Sequence, residues 1–203
     1  MTNGKTTAIA LGSHALYGEG LELAGRIAAA TGADLVTETT PSRLARGEGR
    51  VVVEKIPYLP EDAVPFFKKY EQLILVGALM PVTTFAYKGK PVIKVPADCR
   101  VTALATVDHD IVAALGDLAT AVGTPSRPVA RRVRSQDAPP TGALTDAAVG
   151  RSIGILLPKN AILVTDSPTT EGALYHGTEG ARAHDYLWAA CGGNGRRREA
   201  YGV

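Results

Sequence analysis

Asp166-Ser-Pro-Thr-Thr-Glu171 gathers hydroxyl groups directly behind the apolar run Ala161-Ile-Leu-Val-Thr165. A turn that leaves the carboxyl end of a strand and opens a helix is a place where anions bind, because helix-start amides favour negative charge. Ser167, Thr169 and Thr170 supply hydroxyl donors there for a diphosphate. The same hydroxyls would serve equally well as ordinary helix N-caps. Spacing alone favours the capping role.

A second candidate is the loop Gly12-Ser-His-Ala-Leu-Tyr-Gly-Glu-Gly20, between the first apolar run and the first helical stripe. In open parallel sheets such a loop faces ligands, and Glu38, at the end of the second strand, is placed to meet a ribose hydroxyl. The glycines do not fit G-x-G-x-x-G, and no Walker lysine pattern occurs. A structural turn therefore stands beside the dinucleotide reading. His14 reads as a polar loop residue. His109, His176 and His184 are scattered without i, i+4 metal pairing, and His184-Asp185 is expected to cap the approach to Tyr186-Leu-Trp188. Cys99 and Cys191 have no metal-like spacing and read as reduced thiols. No nucleophile elbow, paired carboxylates or Cys/His set is present, so no catalytic residue and no metal ligand is assigned.

The 203 residues, 45% of them hydrophobic, suit one ordinary core or one core with a further fragment. A net charge of +2 argues against a nucleic-acid footprint over the surface. No apolar run reaches the roughly 20 residues of a membrane span, and Met1-Thr-Asn-Gly-Lys-Thr lacks an apolar signal region. The expectation is a cytoplasmic protein without membrane or nucleic-acid partners.

The elements that must carry these residues alternate between strand and helix. Thr6–Leu11, Asp34–Glu38, Val51–Val53, Gln72–Gly77, Pro91–Val95 and Val101–Ala105 read as strands. Leu16, Gly20, Leu23, Ile27 and Ala30 form a helical stripe closed by Gly32, while Glu61 and Asp62 suit a helix start. Asp108 is placed to cap a helix through Ile111, Leu115 and Leu118. The order predicts an α/β fold with a doubly wound parallel sheet over residues 1–123. Residues 124–140, rich in proline and arginine, read as a linker. Residues 141–203 open a second, partial α/β unit containing one strand, 161–165, which cannot bury both faces alone. Its tail, 196–203, reads as aberrant.

Taken in order, these segments resemble a known family. Gly12…Ala15-Leu16…Gly20-Leu-Glu-Leu-Ala-Gly-Arg-Ile-Ala-Ala-Ala-Thr-Gly-Ala33, Glu38-Thr39…Pro41-Ser-Arg43, Gly47-Glu-Gly-Arg50, Leu73-Ile-Leu-Val-Gly77 and Tyr87-Lys-Gly-Lys-Pro91 look like the central domain of thiamine-diphosphate-dependent enzymes. The nearest group is that of the acetolactate synthase large subunit and benzoylformate decarboxylase. Leu157-Pro-Lys-Asn-Ala161, Asp166-Ser167, His184-Asp185 and Gly192-Gly193 look like the start of that family's pyrophosphate-binding domain. The resemblance spans nearly all of residues 6–195.

It implies a Rossmann-like central domain of about six strands, which binds FAD in some members and nothing in others. It also implies decarboxylation or carboligation of 2-keto acids, with the cofactor supplying the difficult chemistry. By position, Ser167, Thr169 and Thr170 match the diphosphate-contacting turn, and Gly192 and Gly193 the turn near the aminopyrimidine. Pro168 and Asn194 depart from the family pattern. The pyrimidine domain with its activating glutamate and the Gly-Asp-Gly…Asn magnesium segment have no counterpart here. The expectation is a fragment that binds neither thiamine diphosphate nor magnesium tightly and is inactive alone, as a homo-oligomer or with full-length relatives. A free-standing FAD- or NAD-binding module and a non-catalytic subunit-interaction domain are the alternatives.

Overall fold

The computed structural model describes residues 4–85, 88–123, 125, 127–167 and 169–188. The chain forms two compact units: residues 1–41 with 51–130, and residues 42–50 with 131–203.

The first unit is built on a wholly buried strand, β1 (Thr7–Leu11), whose uninterrupted apolar run suits a sheet covered on both faces. It lies between β2 (Asp34–Thr37) and β5 (Gln72–Val76), both parallel to it, with Ile9 level with Leu35 and Ile74. β4 (Glu54–Lys55) extends the sheet beside β2, and β6 (Arg100–Ala105) beside β5. The order is β4-β2-β1-β5-β6, all parallel. α1 (Gly18–Thr31) packs with α3 (Ile111–Val122), and α1 ends at Gly32, which has φ +80° and donates its N–H to Ala28 O. α2 (Pro60–Phe67) carries Glu61 and Asp62 in its first turn. It contributes Ala63 and Phe67 to a core with Ala8, Ala10, Val36, Leu73 and Leu75.

The doubly wound parallel sheet follows the sequence expectation, but it has five strands rather than six. Pro91–Val95 is the missing one. Its Ile93 makes a single antiparallel bridge with Val82, supported by Thr83 N–H to Val92 O at 2.8 Å and Lys94 N–H to Pro81 O at 2.9 Å. Pro91 and Pro96 bracket the segment and lack the donors that a ladder needs. The third strand begins after the valines, at Glu54. Asp110, not Asp108, caps α3, accepting Ala113 N–H at 2.9 Å.

The second unit holds three strands where one was expected: β3 (Leu44–Arg46), β7 (Ala161–Thr165) and β8 (His184–Trp188). β8 is central, parallel to β7 and antiparallel to β3. His184-Asp-Tyr-Leu-Trp188 thus forms a strand rather than a helix cap, and its burial alternates as one-sided covering requires. The helices α4 (Asp146–Leu156) and α5 (Glu171–Gly177) pack together. Their approach is close enough that a Cβ on Gly154 would lie 3.1 Å from the Gly177 carbonyl carbon.

The proline- and arginine-rich stretch serves both units in turn. In the first, Arg127 Nη2 donates to Ala28 O at 3.2 Å, close to the carboxyl end of α1. In the second, Ser135 N–H donates to Gly180 O at 2.8 Å, and Arg132 pairs with Glu179. No described helix is long and apolar enough to cross a membrane.

Candidate functional site

β7 delivers the hydroxyl turn at its carboxyl end, as the sequence requires. Ser167 and Thr170 are half-buried and their hydroxyls hydrogen-bond to each other, while Thr169 is exposed. Glu171 N–H donates to Ser167 O at 3.0 Å, which closes the turn. Thr170 stands at the N-cap position of α5 but its side chain makes no cap hydrogen bond. Either member of the pair can turn its proton toward an anionic oxygen while accepting from the other. Glu171, the first residue of α5, is buried and accepts the Tyr186 hydroxyl at 2.9 Å. Burial, followed by the Glu171 carboxylate, pushes the Tyr186 phenol well above its usual range. Gly192 and Gly193 lie outside the described residues, as do Pro168, Cys191 and the tail.

The described residues suit the diphosphate end of a cofactor in donor chemistry. Among the described residues no group of three or more His, Cys, Asp or Glu is placed to hold a metal ion.

The strand-end crevice of the first unit is arranged differently. Its switch point lies between β1 and β5, where a nucleotide would approach backbone. Here the two glycines approach each other. Gly12 N–H donates to Val76 O at 2.9 Å, and a Cβ on Gly77 would lie 2.7 Å from Gly12 O. Gly20 faces the His14 carbonyl, and Gly25 faces Val51 and Val129, so these glycines serve packing of the chain on itself. Glu38 accepts Leu79 N–H at 3.0 Å; burial raises its pKa and that bond partly lowers it again. Lys94, expected as an ordinary strand residue, is buried. Its Nζ donates to Thr39 Oγ1 at 3.1 Å and to Pro57 O at 3.0 Å. Burial pushes the Lys94 ammonium down. The segment after β5 is thus fastened to the residues that follow β2 and β4. At Gly12, Gly20, Gly25 and Gly77 the close approaches are made by the chain itself.

The remaining candidates have local partners. His14 Nδ1 lies 3.2 Å from Ser13 Oγ, and His109 Nδ1 lies 2.7 Å from Thr106 Oγ1. Exposed His176 stacks edgewise on Tyr175. Cys99 is buried, and burial raises its thiol pKa. In the second unit, sequence patterning misses Arg46 altogether. It is buried, with its guanidinium 3.7 Å from the Tyr175 ring centre and 5.3 Å from that of Tyr186. Desolvation lowers its pKa, and the tyrosines and Glu179 oppose that shift.

The sequence is 41% identical over 189 residues to a protein of Mycobacterium tuberculosis provisionally named as an acetolactate synthase large subunit, IlvX. In sequence the chain is akin to an acetolactate synthase-like protein. That match covers 92% of this chain but only 36% of the relative, so the chain spans about a third of the longer protein. Two solved structures share the fold. The thiamine-diphosphate-dependent 4-hydroxybenzoylformate decarboxylase of Rhodococcus jostii RHA1 superposes with a TM-score of 0.69 at 18% identity, over 91% of this chain and 38% of that one. A Mycobacterium smegmatis protein provisionally described as a thiamin-diphosphate-dependent enzyme gives 0.71 at 19% identity, over 95% and 40%. No protein-family model matches the sequence.

Proposed function

We propose that this chain is the central domain and the opening of the diphosphate-binding domain of a thiamine-diphosphate-dependent enzyme acting on 2-keto acids, and that alone it is inactive. The observation that carries this reading is the paired hydroxyls of Ser167 and Thr170 at the carboxyl end of β7, in a chain akin to an acetolactate synthase-like protein. Ser167, Thr169 and Thr170 would hold diphosphate oxygens, and Gly192 and Gly193 would lie near the aminopyrimidine. Bound thiamine diphosphate supplies the carbanion chemistry of decarboxylation or carboligation. The chain's contribution is to hold and orient the diphosphate end.

Three hydroxyls alone give little binding energy, because immobilising the cofactor offsets most of it. Calorimetric titration of the chain with thiamine diphosphate and magnesium should therefore show no micromolar binding, and no turnover of pyruvate or benzoylformate should accompany it. Micromolar binding or turnover overturns the reading of inactivity. Partners of this kind would be a second copy or a full-length relative, in a cytoplasmic setting.

A further inference from the structure

β3 is the three-residue edge strand of the second unit's sheet, drawn from residues 42–50, which in sequence separate two parts of the first unit. Its antiparallel register with β8 sets Arg46 directly opposite His184 and Ala45 opposite Asp185. Residues directly opposite share a face of the sheet. Arg46 and His184 are therefore turned to the same side, where they are 5% and 1% exposed. Asp185 is turned to the other side. Arg43, just ahead of β3, donates to it from Nη2 at 2.7 Å and from Nε at 3.1 Å.

The buried side of this seam sets a cation beside a neutral ring. His184 Nδ1 lies 2.8 Å from Arg182 O, and a carbonyl only accepts, so the ring proton is on Nδ1. Nε2 is buried without a partner among the described residues, and so is Arg46 Nη1. A second proton on the ring can go only to Nε2. It would place a second buried cation opposite the first, with no acceptor for its N–H, and like charges directly opposite are destabilising. Each nearby carboxylate already has a partner of its own: Asp185 holds Arg43, Glu179 pairs with Arg132, and Glu171 of α5 accepts the Tyr186 hydroxyl. Burial raises the phenols of Tyr175 and Tyr186, so the rings about the guanidinium stay neutral. On the β7 side, His184 stands opposite the uncharged Ala161.

The weaker strand yields first. β8 is ladder-paired on both edges, whereas β3 is held to it through three residues. The partly exposed Arg43–Asp185 pair adds little to that hold. We propose that the β3–β8 seam is an acid-released clasp: a proton taken up by His184 opposite Arg46 detaches Leu44–Arg46 from β8, while β7 and β8 remain paired. Beyond β3 the stretch stays tethered by Glu48 N–H to Ala181 O at 2.8 Å and Gly49 N–H to Arg132 O at 2.9 Å. Detachment returns both side chains to water, where the ring takes up a proton at a pH at which the closed form does not. The detached form therefore gains as pH falls through the ordinary histidine range. The clasp is independent of whether the diphosphate turn binds a cofactor.

Hydrogen exchange of the full chain, read by mass spectrometry and corrected for intrinsic rates, tests it. Between about pH 7.5 and about pH 5.5, protection at residues 44–46 should fall by about fivefold or more. Exchange there should be insensitive to dilute urea, because detaching three residues exposes little surface. β7, which opens only with the whole unit, should exchange more slowly and respond to urea. His184→Gln should abolish the fall at 44–46, and Arg46→Met, which leaves one cation where there would be two, should reduce it. Equal protection of 44–46 at the two pH values overturns the proposal. So does an undiminished fall in His184→Gln, or exchange of 44–46 and β7 at one urea-dependent rate, since the whole unit and not the clasp would then be opening.

Discussion

The Arg46 guanidinium lies 3.7 Å from the centre of the Tyr175 ring, joining a strand contributed by residues 42–50 to a helix that follows β7. Tyr186, on the neighbouring strand, stands edge-on to Tyr175 at 5.4 Å and also faces the guanidinium. A desolvated cation over an aromatic face gains about 2 kcal/mol or more, and the long side chain also fills volume. Burial of the charge works against that gain, which is why its pKa is pushed down.

Arg46→Ala is therefore expected to destabilise the second unit by about 2–4 kcal/mol, through a lost ring contact and a cavity. Arg46→Met, which restores most of the volume without a buried charge, should recover more than half of the loss. Urea unfolding followed through Trp188 fluorescence reads both. Equal losses for the two variants would show that charge, not packing, is what Tyr175 requires.

The sequence reveals the first unit far better than the second, and the reason is locality. β1 and β5 are short apolar runs that announce buried parallel strands by themselves, and Gly32 marks the end of α1. β3 is only three residues long, Leu44–Arg46, and becomes a strand because β8 lies beside it. No periodicity can be read from three residues. Arg46 looks like a surface charge until Tyr175 and Tyr186, far along the chain, enclose it. The hydroxyl turn is visible as a cluster, but the pairing of Ser167 with Thr170, rather than with helix amides, depends on the turn's geometry. Pro91–Val95 fails in the opposite sense: its β-branched residues favour a strand, while its flanking prolines and the fastening of Lys94 hold it out of the sheet.

The Gly12–Gly77 contact predicts a steep response to one methyl group. Gly77 has φ +64°, and its added Cβ would sit 2.7 Å from both Gly12 O and Ile111 Cδ1. The isoleucine tip can shift, but the backbone oxygen at the end of β1 cannot move without disturbing the sheet. Gly77→Ala should cost about 1–3 kcal/mol in the first unit, from backbone strain and displacement together. Gly89 also has positive φ, but a methyl group added there would meet nothing within 4 Å, so Gly89→Ala should retain only the smaller backbone penalty. Thermal unfolding of the two variants side by side separates the effects. Equal shifts would mean that the close approach of Gly12 and Gly77 contributes nothing.

His184 sets the acid limit of the second unit. It is buried in β8, and its Nδ1 lies 2.8 Å from Arg182 O. A carbonyl only accepts, so the proton is on Nδ1, and Nε2 is left without a partner among the described residues. Burial lowers the His184 pKa below its ordinary 6.5, the Arg182 bond opposes this, and the Arg46 charge lowers it further. The unfolded chain therefore takes up a proton on this ring at a pH where the folded chain does not. Stability rises with pH wherever the unfolded state binds more protons, so it is full above the unfolded value and falls as pH drops through it. The slope disappears once pH is below the folded value. Comparing urea midpoints at about pH 7.5 and about pH 5.5 should show a larger acid loss for the natural chain than for His184→Gln, whose carboxylates titrate alike but whose residue 184 carries no proton to bind. Parallel losses in the two proteins would mean that the buried imidazole does not control the response.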